Sequence, residues 1–170
     1  MRGGRNEGGA VKLDKAPPTM TAPRLLLVAS AGGHWVQLSR LAAAFEGFDA
    51  QYVTTLKGAR APCGERSVAV VRDGSQTDPV GLLVMFAQLL FIVLKFRPST
   101  IVTTGAAPGV FAVRLGKLLG ARTVWIDSIA NSEKLSLSGR LVRKHVDLCL
   151  TQWPHLADAY PDVQCFGSVI

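Results

Sequence analysis

The sequence predicts an α/β protein built on a Rossmann-like parallel sheet, and three observations carry that prediction. Short aliphatic runs such as "LLLVA" and "TVWI" recur along the chain, as expected of strands covered on both faces. Stretches with apolar residues at helical spacing separate them. Two of the strand-to-helix junctions are glycine turns, "SAGGHW" and "TTGAAPG", and junctions of that kind are where open α/β sheets bind ligands. Such alternation joins parallel strands through right-handed crossovers.

Residues 1–23 are set aside as a disordered N-terminal tail, because they are rich in Gly and Pro, lack aromatic residues and hold no apolar run of secretory-signal length. Residues 24–170 are expected to form one domain, since a chain of 170 residues buries a single ordinary core. Within it, strands are predicted at 25–29, 51–54, 67–71, 100–103, 123–126 and 148–151, and helices at 35–45, 80–96, 109–119 and 137–144. The carboxyl ends of these strands share one edge of the sheet. Three loops are therefore expected to converge there: 30–35, 103–109 and 127–136.

Charge narrows the partners. The tail up to Arg24 carries +3 of the net +7, so the domain is only mildly basic. No basic stripe with interleaved aromatic residues stands out, and no nucleic-acid partner is expected. A diphosphate or an anionic lipid surface suits the surplus better. Cys63, Cys149 and Cys165 form no CxxC pair, and His34, His145 and His155 lie far apart. Neither a metal site nor a cofactor is expected, and the cysteines read as small buried hydrophobes of a reduced protein.

In the first loop, Gly32 and Gly33 allow close backbone approach, and the helix that follows offers unpaired N–H groups to an anion. Ser30 adds a hydroxyl. The spacing fits neither GxGxxG nor a P-loop, which weighs against a nicotinamide enzyme. His34 is either a helix-start residue bonded to a neighbouring loop or a base facing a sugar hydroxyl. In the second loop Thr104, Gly105 and Gly109 suggest another anion cradle, with Pro108 read as turn chemistry at a helix start. In the third, Asp127 can cap the local backbone or take a proton, with Ser128 and Asn131 beside it. Lys134, Arg140, Arg143, Lys144 and His145 are a solvated helix face or a greeting for anionic headgroups.

The stretch "VGLLVMFAQLLFIVL" holds Gln88 as its sole polar side chain. It is too short to span a bilayer as a straight helix. Helical spacing puts Leu82, Met85, Phe86, Leu89 and Val93 on one face, and Val84, Ala87, Gln88 and Phe91 on the other. Either the helix is sandwiched inside the domain, or its second face meets lipid or another chain, with Lys95 and Arg97 at headgroup level. Val84, Phe91, Lys95 and Arg97 are the membrane candidates.

Taken together, "ASAGGHWVQL", "IVTTGAAPGVFAVRLGKLLGARTVWIDSIA", "LSLSGRLVRKHVDLCLTQWPHLADAYP" and "FGSV" resemble the PssD-type subunit of bacterial exopolysaccharide glycosyltransferases. That group is related to the membrane-recruiting subunit of the eukaryotic enzyme that adds the second N-acetylglucosamine to dolichol diphosphate. The resemblance implies a MurG-like N-terminal lobe of a two-lobed GT-B glycosyltransferase, with the donor-binding lobe on a separate PssE-type partner. It implies transfer from a UDP-sugar to a polyprenyl-diphosphate-linked acceptor, peripherally at the cytoplasmic face of the inner membrane. His34 or Asp127 would then be the base, and Ser30, Gly32, Gly33, Thr104, Gly105, Gly109, Ser128 and Asn131 would line the acceptor. Asp127 stands where relatives carry Glu, one methylene longer. Relatives with an N-terminal membrane anchor also differ, so membrane contact is expected of residues 80–96. Trp153 and Pro154 are expected in packing or at the partner interface.

Overall fold

The computed structural model describes residues 22–169, so the expectation for the tail lies almost wholly outside the described residues. Among the described residues seven strands form one sheet: β1 (Arg24–Ala29), β2 (Asp49–Thr54), β3 (Val68–Val70), β4 (Thr100–Thr103), β5 (Arg122–Ile126), β6 (Leu148–Thr151) and β7 (Gln164–Cys165). They run in the order β3-β2-β1-β4-β5-β6-β7 and every pairing is parallel. The fold is thus Rossmann-like, and the order reverses between β1 and β4.

Side chains along β1 alternate between two cores, as the period of a strand requires. Leu26 and Val28 face the layer made by α2 (Pro79–Phe96), α3 (Ala106–Leu118), α4 (Leu137–Val142) and α5 (Pro154–Ala159). Leu25, Leu27 and Ala29 face Leu38 of α1 (Gly33–Arg40), with Tyr52 and Val102. These five residues of β1, Leu25 to Ala29, are all buried, which explains why the strand reads as an unbroken aliphatic run. The thiol of Cys149 is buried too, and burial pushes it up to about 12, so it packs as a hydrophobe. All three cysteines are free.

The structure departs from the sequence reading in several places. The first helix ends at Arg40 and is followed by a separate 3₁₀ turn, Ala42–Phe45. α3 starts at Ala106, so Pro108 lies inside its first turn, where a missing N–H costs nothing. α5 and β7 were not foreseen; both are shorter than a sequence pattern can register.

α2 settles the question of its two faces. Asp78 caps it by accepting from Gly81 N–H at 2.9 Å, and Pro79 opens it. Arg97, left-handed at φ 50°, ends it with its N–H on Val93 O at 2.8 Å. Met85, Leu89 and Val93 line the inner face, each 1% exposed or less. Val80, Leu83, Phe91 and Leu94 point outward, from 49% to 68% exposed. The wheel placed two residues wrongly: Val84 is half-buried, while Phe86 is partly exposed and packs edge-on against Phe111. Gln88 is held to the loop before the helix, its Oε1 accepting from Arg72 N–H at 2.8 Å.

Paired truncations on α2 test this layering by urea denaturation. Leu89→Ala should lower stability by about 2–5 kcal/mol. Leu83→Ala, six residues earlier on the outer face, should change it by no more than about 0.5 kcal/mol.

Candidate functional site

The site is assembled where β1 and β4 lie side by side. β1 ends at Ala29, and the chain turns into α1 through Gly32, whose φ of 78° with ψ of −139° is closed to side chains. Among the described residues no side chain caps α1. Its first internal bond runs from Val36 N–H to Gly32 O at 3.1 Å, which leaves the amides of Gly33, His34 and Trp35 open to an anion. Gly32 and Gly33 are exposed, and among the described residues nothing lies within 4 Å of where their β-carbons would be. The turn is pinned to β2, with Ala31 N–H donating to Thr55 Oγ1 at 2.9 Å.

α3 begins in the same way. Gly105, at φ 130°, precedes it, again without a side-chain cap, and Ala106 is left-handed at φ 62°. Gly105 N–H donates to Thr103 Oγ1 at 3.2 Å.

His34 joins these two turns. Its Nδ1 lies 3.0 Å from Ser30 Oγ, and its carbonyl accepts from Thr104 Oγ1 at 2.8 Å. The ring edge rests on Gly105, where a β-carbon would come within 2.9 Å of Cδ2 and Nε2. Burial holds the imidazole below its ordinary pKa, an effect the Asp127 carboxylate partly offsets. Burial thus favours the uncharged ring, the form able to accept a proton.

The third turn follows β5. Asp127 Oδ1 accepts from Trp125 Nε1 at 3.1 Å and from Ser136 Oγ at 2.5 Å, and Oδ2 accepts from Ser136 N–H at 2.8 Å. Ser136 Oγ in turn accepts from Gly139 N–H at 2.8 Å and so caps α4. The Asp127 carbonyl accepts from Gln37 Nε2 and Gln152 Nε2, each at 3.2 Å, while Gln37 Oε1 accepts from Ile129 N–H at 3.3 Å. Trp153 Nε1 donates to Ile129 O at 2.9 Å, and His155 Nε2 lies 2.6 Å from Ser132 O. Through α1 and β5, all three turns gather on one edge of the sheet.

Three residues expected at the ligand lie elsewhere. Asp127 is 2% exposed and its carboxylate is turned inward, so it holds the loop instead of facing the cleft. Thr104 is wholly buried, and its hydroxyl is engaged by His34 O. Gly109 is inside the domain: a β-carbon there would strike Thr103 Oγ1 and lie 3.2 Å from Trp125 Cζ3, so the glycine lets α3 rest on the indole. Ser128 and Asn131 form a rim turn, closed by Asn131 N–H donating to Ser128 O at 3.0 Å. Ser30 is half-buried beside His34.

The sequence reading missed Thr55, Gln37, Gln152 and Trp125, which brace these turns. The clue was available for two of them: a glutamine one turn beyond a glycine loop and a tryptophan two residues before a carboxylate each need a partner once buried.

An all-parallel sheet with uncapped helices at its switch point defines a Rossmann-like ligand-binding lobe. The lobe superimposes on MurG of Acinetobacter baumannii with a TM-score of 0.63 at 11% identity, covering 78% of this chain and 42% of that one. Residues 65–169 match the family model "Oligosaccharide biosynthesis protein Alg14 like". The chain belongs to that family. It is 34% identical over 93 residues to the UDP-N-acetylglucosamine transferase subunit ALG14 of Yarrowia lipolytica, covering 51% of this chain and 43% of the relative. The mouse subunit of the same name is 34% identical over 88 residues, 46% of this chain and 39% of the relative. The chain thus spans less than half the length of these curated relatives.

Gly105→Ala tests the contact between the first two turns. The added methyl meets the His34 ring and a backbone angle unsuited to side chains, so stability should fall by roughly 1–3 kcal/mol in chemical denaturation.

Proposed function

We propose that this chain is the acceptor-binding, membrane-associated subunit of a two-chain glycosyltransferase. A donor-binding partner of the PssE type supplies the UDP-sugar, and the acceptor is a saccharide linked to a polyprenyl diphosphate. Exopolysaccharide synthesis at the cytoplasmic face of the inner membrane is the setting we infer, with residues 24–170 as the acceptor lobe. The observation that carries this reading is the meeting of two uncapped helix N-termini at the β1/β4 switch point, with His34 between them. Family membership supports the same assignment, and the curated relatives are named as transferase subunits.

In this reading the open amides of α1 hold the acceptor diphosphate beside the start of α3, and His34 takes the proton from the acceptor hydroxyl. The oxygen attacks the anomeric carbon, the bond to UDP breaks with its electron pair on the diphosphate, and configuration inverts. The partner lobe stabilises the departing charge. Because Asp127 is occupied inside the domain, His34 is the base among the candidates.

The outer stripe of α2 supports membrane contact. The 18-residue helix has a mean hydropathy of 2.2, long and apolar enough to be a candidate span by composition. Yet Met85, Leu89 and Val93 bind it lengthwise to the sheet, so it meets lipid by one face. Leu83 and Phe91 would enter the interface, with Lys95 and Arg97 at its rim. Lys95 Nζ already lies 5.9 Å from the Phe91 ring centroid.

Reconstitution with the partner gives the direct test. Sugar transfer should require both chains, and His34→Gln should reduce kcat by about 10²–10⁴-fold. A mixed complex in which His34→Gln turns over normally would make this chain a recruiting scaffold without a catalytic group.

The pH profile follows from the direction of the His34 shift. A base must be unprotonated, and burial moves its proton loss to lower pH. The acid limb of kcat/KM should therefore fall below the ordinary histidine range, and an acid limb above it would contradict the assignment.

For the membrane face, Leu83→Asp with Phe91→Asp should weaken sedimentation with anionic phospholipid vesicles by at least about tenfold. Folding should be unaffected.

A further inference from the structure

A neutral histidine has one nitrogen that donates and one that accepts, and the partner of the first decides which is the second. At His34 that partner is Ser30. Its hydroxyl lies 3.0 Å from Nδ1 and also 3.3 Å from the carbonyl oxygen of Ala31. A carbonyl can only accept, and a serine hydroxyl carries a single proton. With that proton on Ala31 O, Ser30 Oγ meets the ring through its lone pairs, and Nδ1 must supply the hydrogen.

We propose that Ser30 is a positioning residue that fixes His34 as the Nδ1–H tautomer, leaving the lone pair on Nε2 at the edge of the ring that rests on Gly105. The opposite tautomer fits the surroundings worse. It would need the serine proton turned away from Ala31, and among the described residues no hydrogen bond receives a proton on Nε2. Two further contacts keep the ring in this pose. Thr104 Oγ1 holds the His34 carbonyl at 2.8 Å, and the absent side chain at Gly105 leaves room for the Cδ2–Nε2 edge. Asp127 is the charged group that acts on the ring from the third turn, but its carboxylate oxygens are engaged by Trp125 and Ser136 and make no bond to the imidazole. Ser30 is thus the sole side chain bonded to the ring among the described residues.

The functional meaning rests on the proposed role of His34 as a base, whereas the tautomer can be read without any transfer assay. The full chain, labelled uniformly with ¹⁵N, is examined by long-range ¹H–¹⁵N correlation at a pH above the imidazole titration. The His34 signals are assigned by their loss in His34→Gln. His155, whose Nε2 faces Ser132 O at 2.6 Å, provides an internal example of the Nε2–H form.

The expected result is a protonated Nδ1 and a bare Nε2 for His34 in the parent chain, retained in Ser30→Thr and lost in Ser30→Ala. An Nε2–H pattern in the parent chain, or an unchanged pattern in Ser30→Ala, would overturn the proposal. In the reconstituted transferase, Ser30→Ala should lower kcat roughly 10-fold with little change in KM, and Ser30→Thr should restore it. A tautomer that switches as expected while kcat stays at the parent value would instead overturn the reading of His34 as the base.

Discussion

The site depends on one buried pair, the indole of Trp125 and the carboxylate of Asp127. A tryptophan with no exposed surface must place its N–H on an acceptor, and a carboxylate 2% exposed must find donors for its charge. Each meets the other's need at 3.1 Å. The arrangement then spreads outward. Ser136 completes the ring of donors and starts α4, while glycines at 105, 109 and 139 leave space that a side chain would contest with this pair or with His34 and Thr103. A larger residue at any of these positions would push α3, α4 or the His34 ring off its support.

That support is what makes a shallow edge of sheet into a defined site. The glycine turns alone would present amides in no fixed relation to one another, because nothing caps either helix. Thr55 ties the first turn to β2, Thr104 ties it to the second, and Gln37 ties α1 to the third. The amides that an anion would use are thereby left open, while the polar groups around them are satisfied. Preorganised donors of this kind lose little on meeting a charge, since they need not be reoriented.

Much of this architecture was legible in the sequence, because strands covered on both faces must be aliphatic and helices packed on one side must be periodic. The β4 and β6 boundaries agree with the sequence reading, and the convergence of three loops followed from topology alone. The site was less legible. Asp127 and Thr104 have the chemistry of ligand-binding residues, yet burial turns both toward the protein, and burial of a polar group depends on contacts far apart in sequence. Gln37 and Asp127 are separated by 90 residues, a pairing that no local pattern encodes. Val84 and Phe86 were misplaced on α2 for a related reason: the helix is apolar nearly all round, so periodicity could not say which side faces the sheet.

The lengthwise seat of α2 constrains how any flat surface can approach this molecule. A crossover helix returns antiparallel to the strands it links, so a plane laid along Val80, Leu83, Phe91 and Leu94 runs tangentially to the sheet and not across its end. The edge that carries the three turns then lies to the side of that plane. A flat surface that met α2 would therefore leave the glycine turns accessible from the side and not bury them beneath it.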